Sequence, residues 1–177
     1  MTDPKKLTFF ALLLALACGI SAPLYARTPG AGWRVATPSE LKAFLPPRAP
    51  VGNERIETEM RTASGITNGK GKFVAGVVLI VAGYSAEGKY SHYFLSQVPL
   101  SIGQFVLPPG QYAIGWHRQA DTLNVSFYEA ASGKLAGTVE ATRQPSSRIA
   151  SFRMTPPGDD PRILIGRFGF KYRIAPD

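Results

Sequence analysis

Few side chains in this sequence have the chemistry of a catalytic centre. The 177 residues include two histidines, His92 and His117, and a single cysteine, Cys18. Nucleophilic catalysis pairs a serine or cysteine with a general base, and that base is most often histidine. No serine stands in a G-x-S-x-G turn, and a Ser/His/Asp site using His117 and Asp121 rests on composition alone. We therefore predict no catalytic residue and a protein that is not an enzyme.

The carboxylates do not form a recognisable metal site. His117 and Asp121 have a spacing that aligns two ligands on a helix, whereas a strand and a turn are predicted there. Asp159 and Asp160 are adjacent in a Pro/Gly-rich loop that lacks the spacing of an EF-hand. A single cysteine also excludes a Cys-rich metal site or a disulfide framework. No metal ligand is predicted.

The residues predicted to contact a ligand are Tyr90, His92 and His117. Tyr90 and His92 are expected on one face of a strand over residues 90–97, with His92 on the surface or half-buried. His117 belongs to a different predicted strand. The glycine-rich segment 65–71 has neither the Walker spacing nor the dinucleotide-binding fingerprint, so no cofactor is predicted.

The N-terminal segment has the organisation of an export signal. Lys5 and Lys6 precede the uncharged run Leu7–Cys18, which is too short to cross a hydrocarbon core of about 30 Å as a helix. A small residue, Ala26, then offers a cleavage point. The sequence predicts a secreted or periplasmic bacterial protein.

Cys18 allows an alternative processing route. The sequence Ala15–Cys18 resembles a bacterial lipobox, although the usual Leu position holds Ala15 and the usual small position holds Leu16. In a lipobox the cysteine is acylated and becomes the first residue of a membrane-anchored lipoprotein. The alternative localisation is therefore the membrane, through a lipid at Cys18.

The segment after the signal combines a helix start with a run of prolines. Thr37–Glu40 is a capping box with proline at the first helical position, and Leu41, Phe44 and Leu45 follow at helical spacing. Three prolines between residues 46 and 52 predict an extended linker. The predicted organisation is a signal peptide over 1–26, a short helix and Pro-rich linker over 27–54, and a β-sandwich domain over 55–177.

From Arg55 onward the hydrophobic period is two, and turn residues recur about every ten positions. This spacing predicts an all-β fold, an antiparallel sandwich or small barrel of about 8–9 strands, with a signal helix and one short helix. Trp116 shares a predicted interior face with Tyr112 and Ile114. The expected strands include Ile56–Met60, Phe73–Ala82, Tyr112–Trp116, Leu123–Phe127, Leu135–Ala141, Ala150–Met154 and Arg162–Ile174.

The last of these predicted strands is unusually long. Arg162–Ile174 reads as one strand with an apolar and a basic face. Gly166 and Gly169 are expected to mark a bulge or a bend within it.

The sequence Leu107–Tyr112 carries a family resemblance. It is similar to the L-P-x-G-x-Y turn of transthyretin-like and carboxypeptidase-regulatory-like β-sandwich modules, and to small secreted bacterial proteins with the same turn. The resemblance covers about residues 97–142. It implies a β-sandwich whose turn is followed by a strand, in a module without catalytic residues of its own.

The chain is basic, with 20 Lys and Arg against 12 Asp and Glu and a net charge of +8. Such a charge favours an envelope protein or an anionic polymer as partner. Nucleic acid is not predicted, because the charges are scattered and an exported protein is separated from it. We expect an exported, non-catalytic protein that binds or assists an envelope or extracellular component. The alternatives are a secreted hydrolase with a carboxylate- or His-based site and a lipid-anchored structural protein.

Overall fold

The computed structural model describes residues 32–145 and 149–176, so the predicted signal peptide and Cys18 lie outside the described residues. The described chain has one helix and 13 strands, which confirms the all-β class but exceeds the predicted strand number. One predicted strand, Arg162–Ile174, is in fact a hairpin of two shorter strands. The elements are β1 Arg34–Val35, α1 Pro38–Phe44, β2 Arg48–Val51, β3 Glu54–Thr67, β4 Phe73–Leu79, β5 His92–Ser96, β6 Leu100–Ile102, β7 Phe105–Leu107, β8 Gly110–Gln119, β9 Thr122–Glu129, β10 Leu135–Arg143, β11 Ala150–Met154, β12 Arg162–Gly166 and β13 Phe168–Ile174.

All of these strands belong to one antiparallel sheet. The main path runs β1-β3-β4-β5-β8-β9-β10-β13-β12-β11. β2 pairs with the first half of β3, and the β6–β7 hairpin joins the last residues of β13. The strands therefore form a single continuous sheet and not two separate facing sheets.

The sheet curls until its last strand lies against its beginning. β11 contacts β3 and β4, and the amide of Met154 donates to Ser64 Oγ at 3.0 Å. The Phe152 ring lies directly on Gly76, where an added Cβ would be 2.5 Å from the ring. The result is a nearly closed, barrel-like arrangement.

Alternating side chains fill the interior of this curled sheet. Phe127 lies at its centre, with Phe94 and Phe170 edge-on at centroid distances of 5.6 and 6.0 Å. These edge-to-face contacts add to the burial of the rings. Other buried members include Ile66, Val74, Leu100, Ile102, Ile114, Val125, Met154, Ile163 and Tyr172.

A second apolar cluster covers the outer face of β3, β4, β5 and β8. The capping box starts α1 as predicted: the Glu40 amide donates to Thr37 Oγ1 at 3.3 Å, and the Thr37 amide donates to Glu40 Oε2 at 2.8 Å. Hydrogen bonds from the Arg34 guanidinium and from the Thr37 amide lower the pKa of Glu40 to about 2. The buried residues of this outer cluster include Leu41, Leu45, Ala49, Ile56, Val77 and Tyr93.

The linker prediction is wrong for residues 48–51. These residues form β2, in which Ala49 is opposite Ile56 and Pro50 is opposite Arg55. Proline is tolerated there because β2 pairs with β3 and is otherwise an edge strand. Gly65, the first residue of the glycine-rich segment 65–71, lies within β3.

The final strand prediction is also wrong, because the chain reverses completely between β12 and β13. Ile165 is opposite Phe168, so Gly166 and Arg167 form a two-residue hairpin turn. Gly166 has a φ of 62°, the conformation that a type II′ turn requires at its first central residue. The bend expected at Gly166 is therefore a hairpin turn, and the one predicted strand is two strands, β12 and β13.

The turn before β8 is closed by a side chain. Tyr112 Oη donates to the carbonyl of Pro108 at 2.7 Å. Because Tyr112 is also buried, its ring covers the interior while its hydroxyl holds the preceding turn.

Candidate binding cavity

A cavity of about 560 Å³ lies at one end of the curled sheet, and we call it the end cavity. The strand ends that meet there are the C-terminal ends of β4, β8 and β12 and the N-terminal ends of β5, β9, β11 and β13. Cavities at such ends are common ligand sites in curled sheets. The lining residues are Val78, Leu79, Val81, Tyr90, Ser91, His92, Trp116, Arg118, Leu123, Ile149, Ser151, Ile165, Gly166, Arg167 and Phe168.

Two large apolar side chains of this lining are exposed. Trp116 is 46% accessible and Ile149 is 61% accessible. The prediction that Trp116 lies in the core is therefore wrong, although it does follow Ile114 on the same face of β8. β5 begins at His92 opposite Ile114, so Trp116 extends beyond the end of the neighbouring strand and lacks its cover.

His92 lies in the wall of the end cavity and is only 4% exposed, so the prediction of a surface or half-buried residue is wrong. Its Nε2 lies 3.0 Å from the Ser151 carbonyl and its Nδ1 lies 2.8 Å from Ser91 Oγ. A carbonyl only accepts, so Nε2 carries the proton and Nδ1 accepts from Ser91. Burial lowers the pKa of His92 to about 4, against a smaller opposing effect of the bond to Ser151.

Ser91 and His92 have the distance of a nucleophile–base pair but not its chemistry. A histidine with a pKa of about 4 is a weak proton acceptor at neutral pH. Ser91 Oγ also lies 3.2 Å from the carbonyl of Ile114, which competes for its proton. No aspartate or glutamate is among the described residues that line the cavity. The arrangement favours binding over acyl transfer.

Tyr90 also lines the end cavity but does not share a face with His92. It precedes β5, and its ring packs against Tyr128 in the outer cluster at a centroid distance of 5.3 Å. The Lys89 ammonium lies 4.8 Å from the centre of the Tyr90 ring. Tyr90 and His92 therefore both line the end cavity but lie on different faces of the sheet.

His117 is not part of the end cavity. It is exposed, and its Nε2 lies 3.2 Å from the side-chain nitrogen of Gln119. Because side chains alternate along β8, His117 points away from the face that carries Trp116. The structure thus separates the two histidines. Within residues 32–145 and 149–176, no group of three or more His, Cys, Asp or Glu could hold a metal ion.

The sequence analysis did not predict the other lining residues as ligand contacts, among them Trp116, Arg118, Ile149, Arg167 and Phe168. The sequence did contain an indication for Trp116 and Arg118. Both lie on the same face of β8 as Ile114, close to the end of the strand. Ile149 and Phe168 reach the same place from distant parts of the chain. No local pattern indicates that convergence.

Two further cavities lie elsewhere on the molecule. One of about 480 Å³ lies between α1 and the outer face of β5 and includes Pro46 and Tyr93. The other, of about 660 Å³, lies beside β13 and includes Glu140, Lys171 and Arg173. Neither contains a residue predicted to contact a ligand, and the second holds charges of both signs.

Comparisons of the chain with protein-family models, with curated proteins and with solved structures find no match. Within the part of the chain that the structure describes, no helix has the length and apolar character needed to span a membrane.

Proposed function

We propose that the chain is an exported binding protein that takes a small, largely apolar molecule into the end cavity. The observation that carries this proposal is the pairing of a cavity of about 560 Å³ with two exposed apolar side chains, Trp116 and Ile149. Small-molecule sites have volumes of roughly 300 to 1,000 Å³ and are mostly apolar. A ligand would cover surface that is otherwise exposed to water.

The energetics favour an apolar ligand. Leu123 and Ile165 are buried beneath the cavity, while Trp116 remains 46% exposed at its side. Removing apolar surface from water contributes roughly 25 cal/mol per Å². Neutral His92 adds little charge to this wall at neutral pH, since its pKa is about 4.

Export and the transthyretin-like resemblance belong to the same proposal. The resemblance at Leu107–Tyr112 implies a module without catalytic residues of its own, which agrees with a binding role. The mass of the mature N-terminus tests the route of export. Cleavage after Ala26 supports a free secreted or periplasmic protein, whereas an acylated Cys18 establishes the lipid-anchored alternative. A mature protein that retains residues 1–26 contradicts both.

Ligand binding is tested with phenylnaphthylamine, a neutral fluorophore that becomes bright in apolar sites. A Trp33→Phe background leaves Trp116 as the one tryptophan, because the sequence has two. We expect saturable fluorophore emission, accompanied by energy transfer from Trp116. Trp33 itself packs against the interior cluster and does not line the cavity.

Two matched variants locate the bound fluorophore. Ile149→Ser removes an apolar side chain at the cavity, and Val106→Ser removes one of similar exposure elsewhere, 61% against 58%. We expect Ile149→Ser to weaken binding by about fivefold, since one apolar side chain is lost, and Val106→Ser to leave it unchanged. Absence of saturable binding, or equal effects of the two variants, contradicts the proposal.

A further inference from the structure

We propose that the ligand of the end cavity is an amphiphile with an anionic head group, bound by Arg118, Arg143 and Arg167 while its apolar chain enters the cavity. This inference rests on the proposed function and specifies its ligand class. The shared chemistry is an acyl chain ending in a carboxylate or phosphate, either as a free molecule or as a lipid in a bilayer.

Two of the three arginines lie over one buried ring at the edge of the cavity, and the third precedes that ring's residue in the chain. The guanidinium carbons of Arg118 and Arg143 each lie 5.9 Å from the centre of the Phe168 ring. Arg143 is the cross-strand partner of Phe168, and Arg167 precedes it in the hairpin turn. Phe168 is 9% exposed, so it forms a fixed base on which two cations lie.

The arginines keep donors that an anion can use. Arg118 Nε donates to the carbonyl of Ala120 at 3.1 Å, which orients the guanidinium. The terminal nitrogens of the same group carry four further N–H donors. All three arginines are exposed, so a head group can reach them from solvent.

The local charge is unbalanced within the described residues. The five ion pairs found there involve other basic residues, and the lining of the end cavity contains no acid. Arg118 and Arg143 face the same ring, so they lie no farther apart than twice their distance from its centre. A bound anion at this ring would be attracted by both charges.

The apolar and basic parts adjoin in an order that suits an amphiphile. Leu123 is the cross-strand partner of Arg118 and lines the cavity beneath it. Ile165 and Phe168 continue the apolar wall across the β12–β13 turn. A chain lying on these residues places its head group at the arginines. A neutral apolar molecule would use only half of this arrangement.

Competition for bound phenylnaphthylamine tests the head group. Dodecanoate, dodecanol and dodecyltrimethylammonium share one chain and differ in charge, and all are used below their micelle concentrations. We expect dodecanoate to displace the fluorophore at about one tenth of the concentration that dodecanol needs, because a charge-assisted pair adds to the apolar contact. Dodecyltrimethylammonium should be the weakest competitor. Added salt should weaken dodecanoate alone.

The variant Arg118→Gln/Arg143→Gln removes two of the charges. We expect dodecanoate and dodecanol to compete equally in this variant. Because Arg118 lines the cavity, the comparison is made between the two competitors within the variant, where any general loss of affinity affects both alike. Arg153→Gln is the matched control, since Arg153 is exposed on β11, does not line the cavity and, unlike Arg118 and Arg143, is not placed over the Phe168 ring. It should retain the preference.

Equal competition by dodecanoate and dodecanol, with fluorophore binding intact, overturns the inference and leaves the proposed function standing. Absence of fluorophore binding defeats both. Sedimentation with phosphatidylglycerol vesicles separates the two sources. Vesicle binding that dodecanoate and the double variant abolish identifies a bilayer lipid, whereas displacement by dodecanoate without vesicle binding identifies a free amphiphile.

Discussion

His92 gives the fold a specific sensitivity to acid. Its pKa is about 4 in the folded chain and 6.5 for an ordinary histidine, because burial disfavours the charged ring. Between these values the unfolded chain binds a proton that the folded chain does not. The free energy of unfolding therefore falls as pH drops from about 6.5 to about 4. Above about pH 6.5 the ring is neutral in both states and costs no stability. Between about pH 7 and pH 5 the expected loss is about 2 kcal/mol.

Urea unfolding at both pH values measures this loss. His92→Gln keeps an amide donor for the Ser151 carbonyl but does not titrate, so most of the pH dependence should disappear. His117→Gln is the control, because it replaces the other histidine, which lies outside the end cavity. An unchanged pH dependence in His92→Gln would assign the acid sensitivity to other groups.

Local sequence patterns do not determine what surrounds a side chain in the folded protein. Of the three residues predicted to contact a ligand, Tyr90 and His92 line the end cavity and His117 does not. The burial of His92 depends on β11, which reaches it from 59 positions away along the chain. Trp116 has the expected face, but its exposure depends on where β5 begins. The alternation of side chains along one strand predicts neither the burial of His92 nor the exposure of Trp116.

At the scale of elements, the β12–β13 hairpin depends on one glycine. Gly166 has a φ of 62°, whereas Gly158 has an ordinary φ and open space around its Cα. Gly166→Ala should cost about 1–2 kcal/mol, because a side chain strains this backbone conformation. Gly158→Ala should change stability by less than about 0.5 kcal/mol. Thermal and urea unfolding of the two variants measure the difference, and equal effects would argue against the assigned turn.

The sequence predicted element types more reliably than element ends. The helix start was explicit, since Thr37 and Glu40 satisfy each other's backbone amides and proline stands at the first turn. The end of β12 was not explicit. Glycine with a positive φ serves both a bulge and a hairpin turn, and the flanking apolar residues alternate in either case. Only pairing of Ile165 with Phe168 distinguishes them.

At the scale of the whole molecule, the all-β class follows from the period of two, but the closure of the sheet does not. Closure depends on contacts between distant strands: Phe152 on Gly76, and Met154 with Ser64. Each partner is unremarkable in its own segment. A glycine within an apolar strand, such as Gly76, indicates that another group packs closely against the backbone there. It does not indicate that this group is the Phe152 ring. The end cavity cannot be predicted from local patterns for the same reason, because β11 supplies part of its wall.

The contact that closes the sheet can be tested by substituting both of its residues, Gly76 and Phe152. An added Cβ at Gly76 would lie 2.5 Å from the Phe152 ring, which is also held by His92 at a centroid distance of 5.6 Å. Gly76→Ala should therefore cost about 1–3 kcal/mol, as overpacking does. Phe152→Leu should cost about 1 kcal/mol by itself, because it removes buried surface.

The double variant distinguishes a local defect from a failure of closure. If the Cβ and the ring compete for one space, Gly76→Ala/Phe152→Leu should be more stable than the sum of the single effects by at least about 1 kcal/mol, a coupling typical of residues in contact. Hydrogen exchange should show loss of protection in β11 for Gly76→Ala, with β8 and β9 retained, and recovery in the double variant. Additive effects would mean that β11 does not close on β4 through this contact. Because β11 carries Ile149 and Ser151 to the end cavity, phenylnaphthylamine affinity should fall and recover together with that protection.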